Sequence, residues 1–414
     1  MNFISLPSCE LSSIIYESDR TLVYRGYRKN LPVIFKFLKK DYPTSEELFI
    51  YKHEYNILKS IKLPGVIKAY DFIKYNNSPV IILEDCNGKS LKEFIKARPF
   101  YIEEFLVIAI NITDILSHIH LLNITHKDLN PSNIIFNSET DVIKIIDFGL
   151  STSLQEEAFD IRNPYFIAGT IPYISPEQTG KMNRSIDYRT DLYSLGVTFY
   201  EMITGKLPFE SEDILEIIHC HIAKNPVPPS ECSKHIPVAI SDIILKLLAK
   251  NPEDRYQSAT GVKEDLEECL RQLKNFGQIK SFQVNTGELP GRLIIPQKLY
   301  GRNDELLMMI DCFNRIAPGK KQVVFVSGYP GTGKSSLVME FSKTVTKYKG
   351  FFLSGKFDEF QRIPYSAIIL ALRELIHRIL SEKEENLLSW KEKIVSSLGA
   401  NVKLIMDVIP ELVL

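Results

Sequence analysis

At 414 residues the chain is longer than one ordinary domain, and a hydrophobic content of 44% is enough for two or three packed cores. Its 50 basic and 51 acidic residues nearly cancel, which removes the electrostatic argument for a nucleic-acid or membrane-surface partner. No apolar run approaches the roughly 18 residues of a membrane span, and the opening stretch lacks the basic and apolar regions of a signal peptide, so a cytoplasmic protein is expected. The six cysteines (Cys9, Cys86, Cys220, Cys232, Cys269, Cys312) form no C-x-x-C pair, and reduced structural thiols are expected. His219, Cys220 and His221 lie in a run that reads as helix, where neighbours point to different faces and do not chelate one ion together.

From Leu11 to about Leu83 short apolar runs predict strands, TLVYRGY, PVIFKFL and SPVIILED among them, with one helix over Ser45 to Ser60. From Leu91 to Leu273 helical spacing takes over, and Phe105, Ile108, Ala109, Ile112, Ile115, Leu116 and Ile119 fall on one face. A small sheet with one helix therefore precedes a mainly helical lobe. Residues 274–298 contain Gly277, Gly287, Pro290, Gly291 and Pro296 with little periodicity and read as a linker. Beyond it a helix from Asp304 to Arg315, a strand QVVFVS, a glycine-rich turn and a helix SLVMEFSKTV predict the start of an α/β nucleotide-binding unit over 299–414.

The most informative stretch is His126-Lys127-Asp128-Leu129-Asn130-Pro131-Ser132-Asn133, followed by Asp147-Phe148-Gly149. Phosphoryl transfer needs one carboxylate to orient the attacking hydroxyl, plus a carboxylate and an amide oxygen to hold magnesium against the phosphates. The two stretches resemble the catalytic loop and D-F-G motif of protein kinases, which implies Asp128 in the first role and Asn133 and Asp147 in the second. The same resemblance makes Lys36, at the end of PVIFK, the phosphate-binding lysine and Glu54, in YKHEYNIL, its ion-pair partner. GTIPYISPE, Gly169 to Glu177, resembles the end of an activation segment in its serine/threonine form. The resemblance further implies that Asp191 anchors the catalytic loop and that Arg255 pairs with Glu177. Its implication for residues 11–273 is an α+β bilobal protein-kinase fold that uses ATP and Mg2+ to phosphorylate a protein substrate.

Three positions depart from that pattern. Aligning Val23-Tyr24-Arg25-Gly26 with the family's V-Y-x-G puts Tyr16, Ser18 and Thr21 where the glycines of the phosphate loop belong, which predicts a looser clamp on ATP. Asn130 stands where a lysine usually contacts the transferred phosphate, and losing such a contact commonly costs on the order of a hundredfold in rate. Lys127 replaces the arginine before the catalytic aspartate and forms no bidentate pair with a phosphorylated loop. A slow kinase, not switched by phosphorylation at Ser151, Thr152 or Ser153, is the expectation.

Gly328-Tyr329-Pro330-Gly331-Thr332-Gly333-Lys334-Ser335 fits G-x-x-x-x-G-K-[ST] at every fixed position, with a strand expected before it and a helix after. Its amides, including those of Gly328, Gly331 and Gly333, would cradle phosphates, with Lys334 on the β- and γ-phosphates and Ser335 on magnesium. LYGRNDEL, Leu299 to Leu306, resembles the entry to AAA-type signalling ATPases. The weak candidate for a Walker B carboxylate is Asp407, and too few residues follow to complete a doubly wound sheet, so the start of a P-loop NTPase domain is expected. The order kinase, linker, ATPase resembles the front of large bacterial hybrid signalling proteins, common in cyanobacteria, which implies downstream sensor or histidine-kinase domains as partners. An active kinase is the leading reading. The alternatives are a pseudokinase scaffold and a nucleotide-regulated switch.

Overall fold

The computed structural model describes residues 9–18, 20–40, 43–75, 78–153, 169–180, 186–284, 301–316, 321–329, 332–347, 350–355, 365–380, 384–399, 405–406 and 409. They divide into two compact units, one of residues 1–211 and 220–298, the other of 212–219 and 299–414.

The first unit begins with β1 (Cys9–Glu17), β2 (Thr21–Arg28), β3 (Leu31–Leu38), α1 (Ser45–Ser60), β4 (Ala69–Tyr75) and β5 (Ser78–Glu84). The strands form one antiparallel sheet in the order β1-β2-β3-β5-β4. Alternation along β3 decides the chemistry of each face. Val33, Phe35 and Phe37 join Val80 and Ile82 in a small apolar cluster on one side. Lys36, being out of phase, points to the side that α1 covers. Helix α1 starts cleanly because Thr44 and Glu47 form a capping box: the Thr44 amide donates to Glu47 Oε2 at 2.8 Å and the Glu47 amide to Thr44 Oγ1 at 3.3 Å.

The helical lobe follows with β6 (Lys89–Ser90), α2 (Leu91–Ala97), α3 (Ile102–Leu121), β7 (Ile124–Thr125), β8 (Ile134–Asn137), β9 (Val142–Ile145) and β10 (Thr152–Ser153). It continues through α4 (Arg189–Thr204), α5 (Ile214–Ala223), α6 (Pro229–Cys232), α7 (Val238–Leu247) and α8 (Ala259–Phe276). The predicted apolar face of α3 is buried except at Ile115, which is half-buried. Helix α4 is buried from Arg189 to Ile203, so its polar residues must find partners inside the lobe, and the active site draws on that requirement.

The second unit contains α9 (Asn303–Asn314), α10 (Lys334–Lys347), α11 (Ser366–Leu380) and α12 (Glu384–Leu398). Phe313 of α9 meets Phe341 of α10 edge to face at 5.8 Å. The expected strand QVVFVS is not formed: residues 321–329 pair with no strand among the described residues, and Phe325 is 91% exposed. An apolar sequence of β-branched residues becomes a strand only when a neighbour takes up its backbone groups.

Candidate active site

Lys36 on β3 reaches Glu54 on α1 at 2.7 and 2.8 Å and Asp147 at 3.0 Å. Burial disfavours the Lys36 ammonium, but Asp147 and Glu54 more than reverse this, and the group stays cationic. Burial likewise works against the charge on Asp147, and Lys36 overrides it, holding that carboxyl below its usual range. The Glu54 side chain is 2% exposed and that of Asp147 43%, so one anchors the lysine in the interior while the other faces the cleft.

The catalytic loop is hung from α4. Asp191, in the first turn, accepts the His126 and Lys127 amides at 2.8 Å each and His120 Nε2 at 2.9 Å. Those bonds hold Lys127 in place at φ of 67°, a left-handed conformation that bulky residues avoid and that surrounding contacts must impose; Asp147, farther on, stands at φ of 65°. His126 donates Nε2–H to the Ile146 carbonyl at 3.0 Å and accepts the Asp128 amide on Nδ1 at 3.3 Å, which selects one tautomer and links the two motifs. Its ring also packs on Phe148 at 4.7 Å.

Asp128 accepts the Thr170 amide at 2.8 Å on Oδ1 and Asn133 Nδ2 at 3.1 Å on Oδ2. Burial raises its pKa, and the Thr170 bonds oppose the rise. Asn133 Nδ2 also donates to the Asp128 carbonyl at 2.9 Å. Asn130, an anomaly in sequence, is built into the loop: Oδ1 caps the Pro131–Asn133 turn through the Ser132 amide at 2.9 Å, and Nδ2 donates to the Asp128 carbonyl at 3.1 Å and Thr170 Oγ1 at 3.3 Å.

The activation-segment end is fixed from beneath. Arg255 grips Glu177 bidentately at 2.7 and 2.8 Å, with both side chains essentially buried. Gln178 Nε2 donates to the Lys127 carbonyl at 2.6 Å, close to Gly169, whose φ of 118° suits glycine. Thr170 lies within the motif GTIPYISPE and Gln178 just beyond it, but neither role is visible in sequence, because Thr170 acts through its own amide on Asp128 and Gln178 on the distant Lys127 carbonyl. Ser151, Thr152 and Ser153, at which no switching phosphorylation is expected, have definite places in the lobe. Ser151 is 1% exposed, its carbonyl accepts His53 Nε2 at 2.8 Å, and Thr152 and Ser153 are strand residues paired with β7.

In the phosphate loop Ser18 supplies what a glycine turn would leave to the backbone: its hydroxyl accepts the Thr21 amide at 3.0 Å, and its amide donates to the Thr21 carbonyl at 2.8 Å. Tyr16 is paired with Val23 across β1 and β2 and is 57% exposed; Val23 in turn faces Lys36 across β2 and β3.

At the second site Lys334, the first residue of α10, donates to the carbonyls of Gly328 and Tyr329 at 2.8 Å each. Ser335 is exposed beside it, and Gly333 has φ of 83°. Gly331 and Asp407 lie outside the described residues, while Ile405 and Met406 are helical where a Walker B strand would run.

These two sites belong to recognised families. The protein kinase domain family matches residues 19–266 and the AAA ATPase domain family residues 298–409. The chain belongs to the protein kinase family, with an AAA ATPase domain behind the kinase domain, and both kinds of domain use ATP. It is 34% identical to hybrid signal transduction histidine kinase G of Dictyostelium discoideum over 76% of its own length and 12% of that protein's. It is 32% identical to a probable serine/threonine-protein kinase of Clostridium acetobutylicum over 71% of its length and 42% of the relative's. It is 30% identical to serine/threonine-protein kinase PknB of Mycobacterium leprae over 58% and 39%. The expected order of a bacterial-type serine/threonine kinase domain and an AAA ATPase stands, and nothing in these relatives or in the geometry favours the scaffold alternative. Among the described residues no helix is long and apolar enough to cross a membrane.

Proposed function

We propose that the chain transfers the γ-phosphoryl group of ATP to a serine or threonine hydroxyl of a protein substrate. The carrying observation is the pairing of Lys36 with Asp147 at 3.0 Å and of Asn133 with Asp128 at 2.9 and 3.1 Å, the two pairs being linked through His126, which bonds both the Ile146 carbonyl and the Asp128 amide. Asp128, the catalytic carboxylate, orients the hydroxyl and takes its proton as the oxygen bonds to the γ-phosphorus and the bond to the β–γ bridging oxygen breaks, releasing ADP. Lys36, held by Glu54, steadies the phosphates, while the loop of Tyr16, Ser18, Thr21 and Val23 covers them.

The donor set suits magnesium. Asn133 commits its Nδ2 to Asp128, which leaves its amide oxygen as acceptor, and Asp147 keeps a second carboxylate oxygen beyond the one on Lys36. Hard oxygens of this kind are what the ion prefers. Bound there it would neutralise phosphate charge.

On this reading residues 11–273 are the kinase, 274–298 the linker and 299–414 the ATPase. In the ATPase, amides of Gly328, Gly331 and Gly333 receive phosphates, Lys334 reaches the β- and γ-phosphates, and Ser335 would ligate magnesium. Reliance on ATP at two sites fits a cytoplasmic location, and the likeness to a hybrid histidine kinase supports sensor or histidine-kinase domains as partners. The test is transfer of radiolabelled phosphate to a generic protein substrate by the full chain and by Asp128→Ala. The variant should lose on the order of a thousandfold in rate; equal signals from the two proteins would overturn the proposal.

A further inference from the structure

We propose that Tyr51 is a positioning residue that ties the glycine-free phosphate loop to helix α1, so that one helix face sets both the loop and the Lys36–Glu54 pair. The inference rests on the kinase reading above. Thr21, at the third glycine position of the loop, opens β2, and its Oγ1 lies 3.1 Å from the Tyr51 hydroxyl. The same hydroxyl donates to the Phe37 carbonyl at 3.1 Å. A phenol has one proton and a carbonyl only accepts, so the direction is settled: Thr21 donates to Tyr51, and Tyr51 to Phe37. Burial pushes the Tyr51 phenol up to about 12, and the proton this chain of bonds requires is retained.

Tyr51 is 6% exposed and precedes Glu54 by three residues, close to one helical turn, which puts both on the same side of α1. Lys36 Nζ lies 5.7 Å from the Tyr51 ring centroid and 2.7 Å from Glu54. Phe37, the acceptor, directly follows Lys36 on β3. A glycine at position 21 would offer no side chain to hold. The chain gives up glycine's closeness to the phosphates and has a hydroxyl tether in its place, fastened to the element that carries the lysine's partner. A buried tyrosine needs only one acceptor, and the Phe37 carbonyl already provides it; the Thr21 bond is the additional feature that links loop to helix.

The test uses the full chain carrying Lys334→Ala, which silences the second nucleotide site. Affinity for a nonhydrolysable ATP analogue is measured by calorimetry, together with KM for ATP and kcat. Thr21→Val and Tyr51→Phe should each weaken analogue binding and raise KM about fivefold, the scale of one hydrogen bond to a neutral partner. The change in KM should exceed any change in kcat, since no bond made only during transfer is lost. Thr21→Ser should restore wild-type affinity, and the double variant should be no weaker than the weaker single one, because both substitutions cut the same link. Unchanged affinity in Thr21→Val, or losses that multiply in the double variant, would overturn the proposal. Should Tyr51→Phe fail to fold by circular dichroism, Thr21→Val against Thr21→Ser decides alone. If the wild-type chain transfers no phosphate, the kinase reading fails, yet the analogue affinities still decide whether the tether exists.

Discussion

Two lysines to which the sequence gives the same task, gripping ATP phosphates, are held in opposite ways. Lys36 is 12% exposed and pinned between Glu54 and Asp147, whereas Lys334 is partly exposed and folds back on carbonyls of its own loop. The first is positioned by long-range contacts before any nucleotide arrives; the second is satisfied locally and must leave its carbonyls to reach a phosphate. Preorganisation of the first kind requires buried carboxylates and a lobe able to support them.

The strongest challenge to this comparison removes a buried support of the activation-segment end. Arg255→Ala leaves Glu177 charged, buried and unpaired, and should destabilise the kinase unit by about 3–5 kcal/mol in urea unfolding, where the exposed Arg302–Glu305 pair of the second unit should give no measurable change on Arg302→Ala. Next in size, Lys36→Met should lower kcat/KM for protein phosphorylation on the order of a hundredfold. Lys334→Ala should leave that rate within about twofold while reducing bound ATP analogue from two sites to one, read by calorimetry. A large loss of transfer in Lys334→Ala would end the idea of separate tasks.

A smaller effect concerns pH. His221 is fully buried, its Nδ1 is 3.0 Å from the Tyr193 hydroxyl, and burial, helped by Lys250, pushes its pKa down to about 3. The unfolded chain takes up this proton near the ordinary value of 6.5 and the folded chain does not, so its contribution to stability is present above that value and is lost as pH falls towards 3. Unfolding free energy of the kinase unit should drop by up to about 1.4 kcal/mol per pH unit in that window, and His221→Phe should flatten the slope. Smallest, Asn130→Ala should cost about 1 kcal/mol through the lost cap, visible as a lower urea midpoint.

Much of the kinase unit could be read before folding. The helix of Ser45 to Ser60 and the apolar face of α3 follow from local apolar patterning, and Lys36, Glu54, Asp128, Asn133 and Asp147 are what the resemblance to protein-kinase motifs implies. The misreading of QVVFVS has a tertiary cause: it has strand composition but no partner among the described residues. Asn130 is a loss of charge as read, but a substitution reveals what is missing and not the cap and the two side-chain bonds gained.

What the sequence alone determined is the inventory: which residue types stand at fixed separations, hence the chemistry available and the order of kinase and ATPase. Local rules suffice for that, because strand alternation, helical spacing and short motifs depend on near neighbours. Only tertiary structure decided how Asp191 suspends the catalytic loop, which tautomer His126 adopts, that Thr170 aims Asp128, and that Tyr51 bridges loop to helix. Each of those draws on a hydrogen bond between residues 20 to 65 positions apart, and pattern within a window carries no information about such pairings.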